Sequence, residues 1–461
     1  MKIKRLVSVG AAALLLWLAA RPCLSAPVAG GDGGWTLQQC VDYALAHNIR
    51  LRKDRAAVES AEVTLREARA GLLPSLNASV SQALNYRPFQ ESGGSYVNAG
   101  LATQGRDKAT QSGSYGINAS WTVWDAGKRR MTVSNSELSL EAARLSADET
   151  ANDIQEQIAA LYVQILYMEE AVRVNEALLA QDSIVLARGE EMVRQGQMSQ
   201  ADLAQLTAQV SSGRYDVTNV RTQIANAKMQ MRQLLELPHD TIFDVAPAEA
   251  DEARLLQALP GRDEVYAAAL GHRPEIRNGE LSVRQAGLAT RMARTAALPT
   301  ISLTGGLGDS HVTGTADKFG AQLKSNFNAN IGLSVSIPIF DNRKARSDVE
   351  RARVGEVTAA LDLADARRTL YNSVETYWLN AVNYRGKYLA ARDNVAALQT
   401  SYDLLQEQFR LGLKNIADLL DSRARLLTAR QDLLQDKYTA LLNRSLLEFY
   451  GTGMMELEIR N

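Results

Sequence analysis

Side chains that could support catalysis or metal binding are few in this sequence, and they do not cluster. The 461 residues include four histidines and two cysteines, too few and too scattered for a zinc site or a disulfide framework. The run from Gly305 to Gly308 is rich in glycine, but it lacks the spacing of a phosphate-binding loop and joins strand to strand. His47 and His272 lie at equivalent positions of a repeat, which favours a role at helix ends. We expect no enzyme, no metal and no other cofactor.

The overall composition indicates an elongated helical protein. Lysine and arginine number 51 against 52 aspartates and glutamates, so the balanced charge gives no indication of nucleic-acid binding. Aromatic residues make up 6% of the chain, which is sparse for one large compact core. The 46% hydrophobic content is sufficient for a structured body.

The first 25 residues have the pattern of a secretory signal peptide. Basic residues precede an apolar run from Leu6 to Ala20, small residues follow, and we predict cleavage after Ser25. The run is short for a membrane-spanning helix. Lipidation of Cys23 is an alternative, disfavoured by the Arg21-Pro22 pair that precedes it. We therefore expect an exported protein.

The two halves of the chain follow one plan. Pro74 and Pro299 lie in similar motifs 225 positions apart, whereas Asp125 and Asp341 correspond at an offset of 216. The offset falls by nine between the two pairs, so we expect a longer loop there in the first half. We predict two internal repeats, at 26–237 and 263–451, joined by a proline-bearing linker at 238–262 and followed by a tail at 452–461.

Between the proline and aspartate markers the apolar residues alternate with a period of two. From Phe327 to Ile339, every second residue is apolar and the others are asparagine, glycine, serine or proline. This alternation predicts two β-hairpins, at about 74–125 and about 299–340. Loops rich in glycine, serine and asparagine are expected at about 88–113 and 306–325.

The strand composition favours a membrane over a soluble sandwich with one wet face. The polar positions are almost all small and uncharged, and each strand is about 10–14 residues long, sufficient to cross a bilayer. Four strands are too few to close a barrel, and lipid does not tolerate an open sheet edge. If these strands are transmembrane, several chains must contribute to one barrel.

Each hairpin is followed by apolar residues with a heptad spacing, which favours long coiled-coil helices. The main series are Ile158, Ile165, Val172, Leu179 and Leu186; Leu203, Val210, Val217, Ile224 and Met231; and Leu420, Leu427, Leu434 and Leu441. No proline interrupts 127–237 or 341–461. A helix over 128–190 would extend about 90 Å, a length that suits a tube better than a catalytic domain.

Short motifs occur in a matching order in the two halves. They are Trp35-Thr36-Leu37, Leu73-Pro74, Trp124-Asp125, Gly196 with Asp202-Leu203, Arg273-Pro274-Glu275, Leu298-Pro299, Phe340-Asp341, and Gly412 with Asp418-Leu419-Leu420. This order resembles the TolC family of outer-membrane efflux proteins over essentially the whole chain after the signal peptide.

The resemblance implies an α+β membrane protein that assembles as a homotrimer. Each chain would give four transmembrane β-strands to one 12-stranded barrel in the outer membrane of a Gram-negative bacterium. The long helices would continue it as a periplasmic α-barrel. Such a duct passively carries substrates out of a tripartite efflux pump or a type I secretion system. The implied partners are a periplasmic adaptor, an inner-membrane pump of the RND, ABC or MFS type, and outer-membrane lipid.

The resemblance also implies a periplasmic gate at the second helical turn. Asp418 and Asp421 match the acidic pair that rings the constriction, and three copies would place six carboxylates there. Concentrated negative charge in a narrow throat favours cations. From the sequence alone, Asp418 is equally well explained as a solvated aspartate at a helix start.

Two gate positions depart from the family pattern. Lys414 takes the place of an arginine that ties the closed gate to a first-repeat aspartate, here Asp202. Phe409 takes the place of a gating tyrosine. Lysine cannot form the two-pronged contact of arginine, and Phe409 has no hydroxyl group. The latch between Lys414 and Asp202 is therefore expected to be weaker or built differently.

The helical turns match the tips that adaptors grip. They are Gln195-Gly196-Gln197 in the first half and Leu411-Gly412-Leu413 in the second. The first turn lacks the apolar residues that flank the glycine in the family, so adaptor contact should be less secure there. Two other classes of function stay open from the sequence: a periplasmic coiled-coil adaptor or scaffold, and a soluble exported hydrolase. The substrate is not determined.

Overall fold

The computed structural model describes residues 34–86, 88–89, 95–98, 101–104, 108–247, 249–250, 252–314, 317–455 and 459–460. The predicted signal peptide and the lipidation candidate Cys23 lie outside the described residues.

Two very long helices and an antiparallel sheet dominate the described chain. The first half comprises α1 (Leu37–His47), α2 (Ile49–Ala70), β1 (Ser75–Tyr86), β2 (Ser95–Asn98), β3 (Leu101–Gln104), β4 (Ala109–Trp124), α3 (Lys128–Arg194) and α4 (Gln200–Leu235). The second comprises β5 (Glu249–Ala250), α5 (Glu252–Leu255), α6 (Arg262–His272), α7 (Pro274–Thr295), β6 (Thr300–Val312), α8 (Phe319–Asn326), β7 (Asn328–Ser336), α9 (Lys344–Arg410), α10 (Ile416–Thr452) and β8 (Ile459–Arg460).

The bounds of these elements reproduce the sequence offsets. Helices α1 and α6 begin 225 residues apart, and so do α2 and α7. Helices α3 and α9 begin 216 residues apart and have the same length of 67 residues. The offset changes within the hairpins, where the first connection contains β2 and β3 and the second contains α8.

Four strands form one antiparallel sheet in the order β1-β4-β6-β7. The two predicted hairpins are β1 with β4 and β6 with β7, and both are confirmed; β4 and β6 join them. The predicted loop at 306–325 is wrong over its first part, because β6 continues through Gly306 and Gly308 to Val312 and pairs with β4. The predicted loop at 88–113 is also too long, because β4 begins at Ala109.

The sheet exposes its apolar side chains instead of burying them. Leu76, Val80 and Leu84 on β1 are 73–76% exposed, and Ile331 on β7 is 80% exposed. Buried apolar surface stabilises a fold by about 25 cal/mol per Å², so this stripe contributes nothing within one chain. It is a surface that another phase or another chain must cover.

Helices α3 and α4 form one antiparallel hairpin, and α9 and α10 form another. At 1.5 Å per residue, each 67-residue helix is about 100 Å long. The predicted helix over 128–190 is confirmed, and it continues to Arg194. No helix among the described residues is long and apolar enough to cross a membrane.

Two hydrophobic cores hold these elements together. The larger one lies where α1, α6 and the linker segment pack on the long helices, and Trp35 is buried in it with its carbonyl accepting from Tyr162 Oη at 3.2 Å. The smaller core lies near the helical turns and joins the two hairpins. It consists of Leu206, Tyr402, Phe409, Ile416, Leu419 and Leu426.

Candidate functional site: the helical turns

The turn between α9 and α10 is fixed by one glycine. Gly412 has φ +74°, a conformation that costs other residues about 1–2 kcal/mol. Its N–H donates to the Phe409 carbonyl at 3.0 Å, and the Leu413 N–H donates to the Gln408 carbonyl at 2.9 Å. These two bonds form a Schellman motif, which satisfies the last carbonyls of α9.

The turn between α3 and α4 has the same backbone. Gly196 has φ +69°, its N–H donates to the Val193 carbonyl at 3.0 Å, and the Gln197 N–H donates to the Met192 carbonyl at 2.7 Å. The side chains that project from the two turns differ. Leu411 and Leu413 are 58% and 71% exposed, whereas the matching positions of the first turn carry the exposed amides of Gln195 and Gln197.

The helix that follows each turn has an N-cap residue whose side chain bonds the backbone of an aspartate three residues later. Ser199 Oγ accepts from the Asp202 N–H at 3.1 Å, and Asn415 Oδ1 accepts from the Asp418 N–H at 2.8 Å. Asp202 and Asp418 therefore occupy the third residue of α4 and α10, where negative charge also interacts favourably with the helix dipole. The explanation of Asp418 as an aspartate at a helix start is correct for its position, and it does not exclude a role at a gate.

The acidic pair on α10 lies on the surface of the single chain. Asp418 Oδ2 is 3.4 Å from Lys414 Nζ, and Asp421 Oδ2 is 2.9 Å from Arg425 Nε. All four side chains are more than two-fifths exposed, and such pairs contribute only about 0–1 kcal/mol. Both carboxylates are thus accessible to solvent in the single chain.

The residues of the predicted latch do not contact each other within the described chain. Lys414 pairs with Asp418, whereas the Asp202 carboxylate accepts from Ser199 Oγ at 2.8 Å. A contact between Lys414 and Asp202 stays a prediction for an assembly of several chains. Phe409 is 9% exposed and lies in the smaller core, where its ring packs between the hairpins.

A buried ion pair beside this core escaped the sequence analysis. Arg423 Nε on α10 donates to Asp182 Oδ1 on α3 at 3.1 Å, and Arg423 Nη2 lies 2.7 Å from Asp182 Oδ2 without hydrogen-bond alignment. Both side chains are 6–7% exposed. With its amide oriented to satisfy its neighbours, Gln209 on α4 accepts from Arg423 Nη1 at 2.7 Å.

The Asp182–Arg423 ion pair joins the α3–α4 hairpin to the α9–α10 hairpin. Tyr402 on α9 packs in the adjoining core, and burial raises the pKa of its hydroxyl, as does the nearby Asp182 charge. Gly213 on α4 allows close packing here, because a Cβ atom would lie 3.1 Å from Leu179 Cδ1 and 3.8 Å from Arg423 Nη2. Four helices thus meet at one charged contact.

A signal for Asp182 was present in the heptad pattern. The apolar series interleaved with Ile158 and Ile165 runs through Leu161 and Met168, and its next two members are Asn175 and Asp182. Both are buried. A polar residue at a core position of a coiled coil commonly fixes register, so this break in the pattern indicated a buried partner.

The histidines predicted to lie at helix ends, and Cys40, have local structural surroundings in the described chain. Among the described residues, no group of three or more histidine, cysteine, aspartate or glutamate side chains is placed to hold a metal ion. His47 and His272 each bond the carbonyl four residues earlier, at 2.9 Å, near a helix end. Cys40 is buried, and burial raises the pKa of its thiol to about 12.

The fold is that of solved outer-membrane channels. A crystal structure of CusC superposes with a TM-score of 0.76 at 19% identity and covers 94% of this chain and 98% of that chain. The open state of the MtrE outer membrane channel of Neisseria gonorrhoeae superposes with a TM-score of 0.72 at 21% identity, over 90% of this chain and 88% of that one. These likenesses define the class of the fold.

Sequence comparison gives the family. The outer membrane efflux protein family matches the chain twice, over residues 40–236 and 265–449. The outer membrane protein TolC of Escherichia coli (strain K12) is 24% identical over 420 residues, with 88% of this chain and 80% of that protein covered. The chain belongs to the outer membrane efflux protein family, and it is an outer-membrane exit channel.

Proposed function

We propose that three copies of this chain form one passive exit duct, with four strands of each copy in a shared 12-stranded barrel. The observation that carries this proposal is the sheet itself. It exposes a continuous apolar stripe, including Leu76, Val80 and Ile331, and its other face is polar. Lipid would cover the apolar face and water would cover the polar face, so each face would have a favourable environment.

The edges of the sheet support an assembly of several chains. Within the described residues, β1 pairs only with β4 and β7 pairs only with β6. Unpaired backbone groups cost several kcal/mol each in hydrocarbon, so a transmembrane sheet must close. Pairing β7 of one copy with β1 of the next satisfies both edges, and three copies supply 12 strands.

The long helices would continue the barrel as a periplasmic tunnel. The exposed apolar residues Val354, Val357 and Leu361 follow one side of α9 at helical spacing. A neighbouring copy would cover this side, just as each barrel edge is covered. The chain would then consist of two structural copies, at 26–237 and 263–451, with the linker at 238–262 between them.

The helical turns would be the docking and gating end of the duct. A periplasmic adaptor would grip Gly196 and Gly412 with their flanking residues, and an inner-membrane pump of the RND, ABC or MFS type would drive the substrate. Docking would move the α9–α10 hairpin outward, and the substrate would pass the ring of Asp418 and Asp421. The duct itself would catalyse no reaction and would need no cofactor.

The family leaves the transported substrate open. Relatives of similar identity include a pyoverdine export outer membrane protein of Pseudomonas aeruginosa and a cation efflux system protein of Escherichia coli. The substrate of this chain would depend on its pump and adaptor, which the neighbouring genes should identify.

The proposal is tested by fractionation and by conductance. We expect the protein in the outer-membrane fraction, as a trimer that migrates differently on gels before and after heating and forms channels in planar bilayers. A monomer that is soluble without detergent would contradict the proposal.

Substituting both Lys414 and Asp202 should raise single-channel conductance if the latch forms between subunits; an unchanged conductance would exclude the latch.

A further inference from the structure

The polar face of the four-stranded sheet is free of ionisable groups. We define it as every second residue of the strands, from Ser75 in β1, from Thr110 to Thr122 in β4, from Thr300 in β6 and from Asn328 in β7. These four described strands contain one charged residue, Asp309. It faces Tyr115 across the register and so lies on the opposite face.

Amide side chains lie close to the backbone on this face. Asn118, Gly306 and Asn330 are direct neighbours across three strands. A Cβ atom on Gly306 would lie 2.7 Å from Asn330 Oδ1 and 3.1 Å from Asn118 Oδ1. The two amides therefore lean over the glycine instead of standing away from the sheet. Gly308 has the same relation to Asn328, at 3.1 Å.

The carboxylates at the helical turns and the ion pair at the near end of the strands lie more than a Debye length from Asn118 at 0.1 M salt. Asp418 and Asp421 are separated from the strands by the length of α9, about 100 Å, whereas the Debye length is about 10 Å at 0.1 M salt and about 30 Å at 0.01 M. At the near end, Asp125 pairs with Arg129 at 3.1 Å, and it lies about 23 Å along the strand from Asn118.

We infer that the strand section of the duct is a charge-neutral collar, an inference that rests on the proposed function. The polar face lines this collar, and the collar passes polar substrates of either charge sign. Amide and hydroxyl groups both donate and accept hydrogen bonds, so they solvate cations, anions and neutral hydroxyl-bearing molecules alike. Charge selection is left to the helical turns near Asp418 and Asp421.

The collar is tested with thiol reagents of opposite charge. Asn118→Cys and Asn330→Cys are made separately in a Cys40→Ala background and reconstituted in bilayers at 0.1 M salt, where the Debye length is about 10 Å. A cationic and an anionic methanethiosulfonate reagent are added from the barrel side, and the ratio of their reaction rates is compared with that of a free thiol. This ratio cancels the reactivity of the thiol itself. We expect it to lie within about twofold of the free-thiol value, because the screened charges are distant.

Two further variants make the result decisive. Asn118→Cys combined with Asn330→Asp adds a carboxylate to the collar and should favour the cationic reagent several-fold, which shows that the assay detects charge. Ile331→Cys lies on the opposite face, within the apolar stripe, and should react with neither reagent.

The outcomes separate the collar from the duct. A ratio more than tenfold from the free-thiol value in a conducting channel would overturn the collar. Conducting channels in which Asn118→Cys and Asn330→Cys are unreactive while Ile331→Cys reacts would also overturn it, because the polar face would then not line the duct. A purified protein that forms no channel would instead contradict the proposed function.

Discussion

The two helical turns have one backbone and different surfaces. Gly196 and Gly412 adopt nearly the same φ, and the hydrogen bonds around them match. Yet the first turn presents two glutamines and the second presents two leucines and a lysine. The comparison shows that the turn geometry depends on the glycine and on the cap three residues before the aspartate. The residues around them are free to determine what each turn binds.

The largest effect is expected where the two hairpins meet. Arg423→Ala leaves the buried Asp182 carboxylate without its counter-charge, which should destabilise the fold by about 3–5 kcal/mol. The midpoint of thermal unfolding in detergent, followed by circular dichroism, measures the loss. The matched control is Arg425→Ala, two residues along α10, whose exposed pair with Asp421 should contribute at most about 1 kcal/mol.

The double variant Asp182→Leu with Arg423→Met sharpens this test. It removes both charges, so it should recover most of the stability that Arg423→Ala loses. Equal losses for Arg423→Ala and Arg425→Ala would show that the buried pair does not hold the hairpins together.

The difference in surface should appear in adaptor binding. Changing both Leu411 and Leu413 to glutamine makes the second turn resemble the first, and it should weaken adaptor binding at least about tenfold, because burying a leucine contributes about 1.5–3 kcal/mol. The reciprocal change of Gln195 and Gln197 to leucine should not weaken it. Affinity is measured by surface plasmon resonance with the adaptor encoded beside the gene. Equal effects at the two turns would show that their different side chains do not determine adaptor binding.

The shared backbone predicts equal effects of alanine at the two glycines. Gly196→Ala and Gly412→Ala meet open space but force a positive φ on alanine, which should destabilise each turn by about 1–2 kcal/mol. Hydrogen exchange at the Gln197 and Leu413 amides should accelerate by similar factors.

The control for these variants is Gly386→Ala within α9. It also meets open space, but its backbone is helical, so alanine should stabilise the helix by about 0.5–1 kcal/mol. Protection lost at only one of the two turns would show that their backbones are not equivalent.

The smallest effect concerns Glu149, toward the opposite end of the hairpins, where the surroundings disfavour the charged form of the carboxyl group. Burial raises the pKa of Glu149 on α3, and so do the nearby charges of Glu275 and Asp153. A carboxyl group whose folded pKa is raised favours folding when protonated, and this contribution is lost as pH rises through the folded pKa.

Glu149→Gln should therefore raise the free energy of unfolding slightly at pH 7.5, by less than about 1 kcal/mol after solvent screening. The gain should be absent at pH 4, because the raised pKa of Glu149 leaves its side chain protonated there. Glu141→Gln, on the exposed side of the same helix, is the control and should show no such gain. A gain that is independent of pH would refute the role of the charge.

Local patterns in the sequence determined most of the architecture. The alternation from Phe327 predicted β7, the heptads and the lack of proline predicted α3, and the offsets of 225 and 216 anticipated the spacing of the helices. The turns at Gly196 and Gly412 were located correctly. These features depend on backbone periodicity and on single residues with special conformations, so neighbouring residues suffice to specify them.

The meeting of groups far apart in the sequence depends on how whole elements pack. Asp182 and Arg423 are 241 positions apart, and their contact exists because two hairpins pack side by side. In the same way, strand pairing aligned Asn118 with Gly306 and Asn330, and it continued β6 through glycines that the sequence pattern had assigned to a loop. The sequence marked Asp182 as a break in an apolar series, but the partner of a buried charge is set by the packing of whole elements, which no local period specifies.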